Sequence, residues 1–164
     1  MEVLSPAAHI APLEQAGPIT ALLLEHFGAR TTLSHGYTVR RAVLGDDHVT
    51  RALANSTELG APFQDFLTRY AWGEVWSRPG LARPERSLIT LAALVTLGAE
   101  HEIAMNVRAA IGNGVTMPEI SELLLHTALY AGLPRANRAI AIAQTTLHEM
   151  TRHDMAAPLA AEET

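Results

Sequence analysis

An all-α domain is the fold class this sequence predicts, and three observations lead there. From Asp46 onward, apolar residues recur at helical spacing in successive segments, with Gly, Pro and Asn at the joints. No stretch after residue 45 reads convincingly as a strand. Hydrophobic residues make up 48% of the chain but aromatics only 5%, so the apolar mass is Ala, Leu, Ile and Val. The 164 residues suffice for one domain with a real core, and about six helices are expected.

Taken in order, the first segment, VLSPAAHIAPLEQAGPITALLLEHF, reads as a short extended piece, a loop holding His9, and a helix from about Pro18 to Phe27. Pro18 suits a first helical turn and Gly28 the position past the end. Residues 29–45 have no strong period and contain Gly36 and Gly45, so an extended arm or linker is expected there. The division is therefore an N-terminal extension over 1–35, a helical domain over 36–155, and a frayed tail over 156–164. Asp46 or Asp47 can cap a short helix through about Asn55 with Val49, Ala52 and Leu53 inward. A turn-rich loop follows to Pro62.

The next helix is expected over Phe63–Ser77. Phe63, Phe66, Leu67, Tyr70, Ala71 and Val75 form its main stripe, and Trp72 and Trp76, four apart, share an offset face. Arg78-Pro79-Gly80 ends it. The stretch RSLITLAALVTLGAEHEIAMNVRAAIGNG, Arg86 to Gly114, then reads as two helices joined at Gly98, with Pro84 opening the first. The first is almost wholly apolar, which suits burial on most sides. The second carries Glu102, Asn106 and Arg108 within two turns of an otherwise Ala- and Ile-rich helix. Such a polar cluster points to this hairpin as the floor of an active site.

Asn113-Gly114 supplies residues that tolerate left-handed geometry at a helix end. Thr116 and Glu119 have the spacing of a capping box. The helix they start should run to about Tyr130 with Ile120, Leu123, Leu124 and Thr127 as its core stripe. Gly132 and Pro134 separate it from a last helix, about Pro134 to His153, burying Ala136, Ile140, Ala143 and Leu147.

Composition narrows the function. The formal net charge is −5 and no basic run occurs, which argues against nucleic-acid binding. No apolar segment approaches the ~20 residues that span a bilayer. No signal-peptide pattern opens the chain, and the cytoplasm is the default compartment. Cysteine is absent, which removes disulfides, thiolate metal sites and thiol redox chemistry. His101-Glu102 begins like the zinc motif H-E-x-x-H, but the second histidine position is Met105. With no clear i, i+4 histidine pair, no metal is expected.

Five successive motifs then carry a resemblance: VRRAVLGDDHV, FQDFLTRYAWGEVWSRPGL, RSLITLAAL, HEIAMNVRAAIGNGVTMPEI and LYAGLPRAN. Together they span about Val39 to Gln144 and resemble the γ-carboxymuconolactone decarboxylase family. The wider alkyl hydroperoxidase D-like superfamily shares the fold, but its peroxidase members use a Cys-x-x-Cys pair that this chain lacks. The resemblance implies an all-α domain that forms a homo-oligomer, a hexamer or trimer, with sites near subunit interfaces. It implies decarboxylation of 4-carboxymuconolactone to 3-oxoadipate enol-lactone in protocatechuate breakdown, without a cofactor. The first 30 residues resemble the C-terminal end of an α/β-hydrolase, with His9 and Glu14 at the matching positions. A fusion of this decarboxylase with 3-oxoadipate enol-lactone hydrolase would leave such a segment as a fragment or relic. No G-x-S-x-G elbow is present, so His9 has no serine to activate and reads as a loop histidine.

The implied reaction sets three tasks: hold a dianion, stabilise charge developing on the lactone oxygen, and deliver one proton. Arg86 matches the family's Arg-Ser motif and can grip a carboxylate bidentately; otherwise it is a surface arginine in a first helical turn. Arg40 and Arg41 are candidates for the second carboxylate, or for subunit contacts. Glu102 matches the family's glutamate, and burial would raise its pKa towards that of a proton donor; exposed, it would simply suit a helix's first turn. Asn106 stands where the family usually has histidine. An amide can donate to an oxyanion but cannot shuttle a proton. His126 is a candidate substitute, where the family more often has glutamine, or else a core histidine. Trp72, Trp76 and Tyr130 are candidates for the pocket wall, against a role as core or interface anchors. The departure at 106 keeps an alternative open: an altered or inactive member acting on another lactone or β-keto acid, or only binding a ligand or partner.

Overall fold

The computed structural model describes residues 33–161, with side chains over 33–152. His9, Glu14 and the helix expected from Pro18 lie outside the described residues. Seven α-helices and one π-helical stretch make up the described chain, with no strand among the described residues. They are α1 (Leu33–Leu44), α2 (Asp46–Ala54), α3 (Ala61–Leu67), the π-helical stretch Thr68–Val75, α4 (Arg83–Leu97), α5 (Glu100–Gly112), α6 (Met117–Ala131) and α7 (Leu133–Ala161). No described helix is long and apolar enough to cross a membrane. The described residues form two compact units, one of Leu33–Val39 with Ser56–Ser77, the other of Arg40–Asn55 with Arg78–Ala161.

Helix α1 corrects the extended arm expected over 29–45. Its buried positions are Gly36, Val39, Arg40 and Val43, which is helical spacing. In the first unit, Gly36 lets α1 approach the π-helical stretch: a Cβ at this position would sit 2.1 Å from the Thr68 carbonyl oxygen. Only glycine fits so close a backbone approach.

The helix expected over 63–77 changes pitch midway. Trp76 N–H donates to the Ala71 carbonyl at 2.9 Å, five residues back, which is the π spacing. The inward face is consequently Thr68, Trp72 and Gly73. The stripe expected to be the core points out: Phe63 is 62% exposed, Phe66 58%, Tyr70 53% and Val75 52%. Phe66 and Tyr70 stack on each other at 4.9 Å.

The second unit is built on α4–α7. The fully buried core comes from Leu91 and Val95 of α4, Ile103, Val107 and Ala110 of α5, Ile120 and Leu124 of α6, and Ala139 and Ala143 of α7. Burial of each Leu, Ile or Val contributes roughly 1.5–3 kcal/mol. On α2, Val49 is fully buried while Ala52 and Leu53 are half-buried, the face expected from spacing.

The joints follow the expected chemistry, with one refinement. Ala82 N–H donates to the Glu85 carboxylate at 2.6 Å at the start of α4, and Gly98 ends it at φ 72°. Thr116 N–H donates to Glu119 Oε2 at 2.7 Å and Glu119 N–H to Thr116 Oγ1 at 3.4 Å. These Thr116 bonds hold the Glu119 carboxyl below its usual range. At the end of α5 only Gly114 is left-handed, at φ 95°, whereas Asn113 keeps φ −86°. Helix α7 runs to Ala161, beyond the expected end at His153 and into the tail expected to fray.

Asn113 has a longer-range use. Its Nδ2 donates to Ser87 Oγ at 3.0 Å and to the Val43 carbonyl at 3.3 Å. Buried Ser87 donates in turn to the Arg83 carbonyl at 2.9 Å. Arg41 Nη1 donates to Asp46 Oδ1 at 2.9 Å and to Thr50 Oγ1 at 3.1 Å. The end of α1, the left-handed Gly45 and the start of α2 are thus held as one elbow. Along α7, Arg135 donates to the Thr96 carbonyl, Arg138 pairs with Glu100 at 2.8 Å and Glu149 with Arg108 at 2.6 Å.

Two stability measurements check this frame. Gly36→Ala should cost about 1–3 kcal/mol, because backbone must shift to admit the methyl; an unchanged urea midpoint would contradict the close approach. Asn113→Ala should cost about 1–3 kcal/mol by leaving Ser87 and the Val43 carbonyl without their donor, read by the same denaturation.

Candidate active site

A cleft of about 470 Å³ opens between the elbow and α5. Gly45, Asp47, His48 and Arg51 line it from the elbow side, Met105 and Arg108 from α5. The volume lies within the roughly 300–1,000 Å³ usual for small-molecule sites. Gly45, at φ 87°, stands immediately before α2. A one-residue joint there turns the chain sharply enough for the first turn of α2 to form a wall. Half-buried His48 and exposed Arg51, one turn apart on α2, lie on the side of the helix away from buried Val49.

Electrostatics converge on His48. Burial first, then the Arg40 and Arg51 guanidiniums, hold its imidazole below the ordinary histidine value, while Glu102 pulls it up. Arg40, only 4% exposed, is the buried cation of the group. Arg108 is half-exposed and steadied by Glu149. The cleft therefore brings together two guanidiniums, Arg51 and Arg108, two carboxylates, Asp46 and Asp47, and one histidine; Asp46 is paired with Arg41.

The expected site residues are distributed as follows. Arg40 and Glu102 both act on His48. Arg41 braces the elbow rather than the cleft. Glu102 keeps 44% of its side chain exposed and lies 3.6 Å from His101 Nε2, so the apolar hairpin does not enclose it. Half-buried Asn106 donates Nδ2 to the Glu102 carbonyl at 2.9 Å, committing one amide proton to its own helix. Arg86 Nη2 donates to the Arg78 carbonyl at 2.9 Å, and its buried Nε meets no hydrogen-bond partner among the described residues.

Other candidates lie elsewhere. His126 is exposed and lines a different groove with Leu88, Ile89, Ala92, Glu119 and Glu122. Its ring lies 5.2 Å from that of Tyr130, which is 75% exposed. Trp72, buried, and Trp76, half-buried, stack at 5.2 Å within the first unit. Among the described residues no three His, Asp or Glu side chains converge as a metal set.

Sequence reasoning missed His48 and Arg51. The signal was their i, i+3 spacing opposite Val49, hidden because Asp46 and Asp47 beside them read as a helix cap. Arg108 was visible as a cation in an apolar helix.

Known proteins resemble this chain in sequence. Residues 61–145 match the model of the carboxymuconolactone decarboxylase family. The chain is 50% identical over 115 residues to a 4-carboxymuconolactone decarboxylase of Acinetobacter baylyi, covering 70% of this chain and 86% of that protein. It is 43% identical over 121 residues to a nitrosuccinic acid decarboxylase of Metarhizium robertsii, covering 74% of this chain and 85% of that one. A 39-residue stretch, 24% of this chain and 81% of the relative, is 49% identical to a 4-carboxymuconolactone decarboxylase of Pseudomonas putida. An all-helical frame, a family match across more than half the chain and relatives covered nearly end to end leave one assignment: this chain belongs to the carboxymuconolactone decarboxylase family.

Proposed function

We propose that the chain is a cytoplasmic carboxy-lyase that converts 4-carboxymuconolactone to 3-oxoadipate enol-lactone and CO2 in protocatechuate breakdown, with no cofactor in the chemistry. The observation that carries this reading is the cleft where His48, Arg51 and Arg108 meet, with Arg40 and Glu102 in electrostatic reach of His48. The substrate is a dianion, and the Arg51 and Arg108 guanidiniums in the cleft suit two carboxylates, with the Asp46 carboxylate taken up by Arg41. As CO2 departs, the bonding pair moves through the ring double bond onto the lactone carbonyl. The substrate is its own electron sink. The protein's part is to hold the dianion, stabilise the oxyanion and supply a proton. A preorganised donor aimed at the oxyanion contributes about 3–4 kcal/mol.

Arg51 and Arg108 are the carboxylate partners best supported by the cleft. Arg86 does not line the cleft, but it retains a role in this reading because its buried Nε lacks a described partner, which suits a fork completed by an anion. His126, Tyr130 and the two tryptophans have less support, since none lines the cleft.

Asn106 supports a second reading, a changed substrate. Nitrosuccinic acid, named for the Metarhizium robertsii relative, also pairs two carboxylates with an acceptor for the released electron pair. The same cleft chemistry would serve it.

The homo-oligomer expected from the family is supported by exposed apolar side chains on α6 and the start of α7. Leu125 is 65% exposed, Leu129 77%, Tyr130 75% and Leu133 75%. Patches of this kind mark interaction surfaces.

Purified protein should consume 4-carboxymuconolactone, and Arg51→Ala and Arg86→Ala should each lose on the order of 10²-fold in kcat/KM. Normal turnover in either variant removes that arginine from the mechanism. A higher rate with nitrosuccinate would favour the second reading, as would a large gain with 4-carboxymuconolactone in Asn106→His. By light scattering the protein should exceed the 17.6 kDa of one chain, and Leu129→Glu should lower the mass; a wild-type monomer would refute the assembly.

A further inference from the structure

We propose that His48 is the acid of this site: its imidazolium protonates the ring carbon beside the lactone carbonyl after CO2 has left. The inference rests on the decarboxylase reading above. It starts from the groups that face the cleft. Arg51 and Arg108 stay cationic at all working pH and release no proton. Met105 has none to give. Asp46 is engaged by Arg41 at 2.9 Å, and Asp47 is an exposed carboxylate. Among the residues lining the cleft, imidazole is the group that both carries and releases a proton near neutral pH.

The alternatives sit less well. Asn106 does not titrate, and one of its amide protons is already given to the Glu102 carbonyl. His126 lines a separate groove. Glu102 faces His48 from α5 but does not line the cleft, and it lies beside His101. Glu102 is therefore a positioning residue in this scheme, placed to favour the charged imidazole.

The step balances. The bond from ring carbon to carboxylate breaks, and CO2 leaves without its electron pair. That pair forms a new ring double bond, and the old ring pair moves onto the carbonyl oxygen. When the electrons return, the carbon next to the carbonyl takes the imidazolium proton and a C–H bond forms. Neutral His48 remains and is reprotonated from water through the open cleft.

The surroundings also time the proton. The charged groups that act on His48 are Arg40 from α1, Arg51 from its own helix and Glu102 from α5; Asp46, Asp47 and Arg108 share its cleft. In the free protein, burial and the arginines favour the neutral imidazole. A bound dianion offsets Arg51, which lines the cleft, so the imidazole takes up a proton as substrate binds. The alkaline limb of kcat/KM, set by the free protein, should therefore lie at lower pH than the limb of kcat, set by the complex.

The test compares wild type with His48→Gln and His48→Ala. His48→Gln should lose about 10²–10⁴-fold in kcat, with KM nearly unchanged and the alkaline limb gone. Added imidazole should restore turnover to His48→Ala. A His48→Gln enzyme as fast as wild type, or a slow one that keeps the limb, overturns the proposal. A readout independent of turnover is the His48 imidazole resonance, assigned by its loss in His48→Gln. It is titrated with and without the saturated lactone dicarboxylate, which lacks the ring double bond and cannot react by this route. The resonance should titrate at higher pH with the analogue present. If that shift occurs while wild type fails to consume 4-carboxymuconolactone, the substrate assignment falls and the proton uptake at His48 stands. A resonance that titrates at the same pH with the analogue present overturns the role given to His48.

Discussion

One side-chain amide holds together parts of the chain that are far apart in sequence. Asn113, at the end of α5, donates to the Ser87 hydroxyl in α4 and to the Val43 carbonyl at the end of α1. Ser87 is 4% exposed, and burial makes an unmade hydrogen bond expensive. The amide therefore fixes where α1 stops relative to the α4–α5 hairpin. The elbow at Gly45 and the first turn of α2 follow directly. The cleft is a by-product of that register: His48 and Arg51 face α5 because α1 ends where Asn113 holds it.

Charge reinforces the arrangement without dominating it. The Arg108–Glu149 and Arg138–Glu100 pairs are about half-exposed, and such pairs contribute roughly 0–1 kcal/mol each. Their use is orientation. Arg108, which lines the cleft, is anchored by Glu149 at 2.6 Å. Arg40 is different, since a nearly buried cation acts on its neighbours through a medium of low dielectric. Alongside burial, Arg40 and exposed Arg51 both hold the His48 imidazole below its ordinary value.

The α4–α7 frame was legible in the sequence because each helix there has a long apolar stripe and a punctuated end. Gly98, the Thr116–Glu119 box and Gly132 all sit where the chain turns. Helix α1 was not legible. Its inward positions 36, 39, 40 and 43 have helical spacing, but two of them are glycine and arginine, so no apolar stripe is written. The 63–77 segment misled for the opposite reason: its aromatic stripe is real but faces outward, because the π pitch turns Thr68, Trp72 and Gly73 inward instead. At the site, Glu102 and Arg108 stood out as polar residues in an apolar helix. His48 did not, because its significance comes from Arg40 and α5, which only the tertiary fold brings near.

The shortness of the joints has a kinetic consequence. Gly45 alone separates α1 from α2, Gly98-Ala99 separates α4 from α5, Asn113–Thr116 separates α5 from α6, and Gly132 alone separates α6 from α7. With glycines at positive φ in all four joints, the chain reverses within one to four residues at each. Successive helices in the α4–α7 frame meet their neighbours with little loop entropy to lose. Low contact order of this kind belongs to fast folders. The apolar faces that build the α4–α7 core are therefore covered soon after that stretch of chain is made.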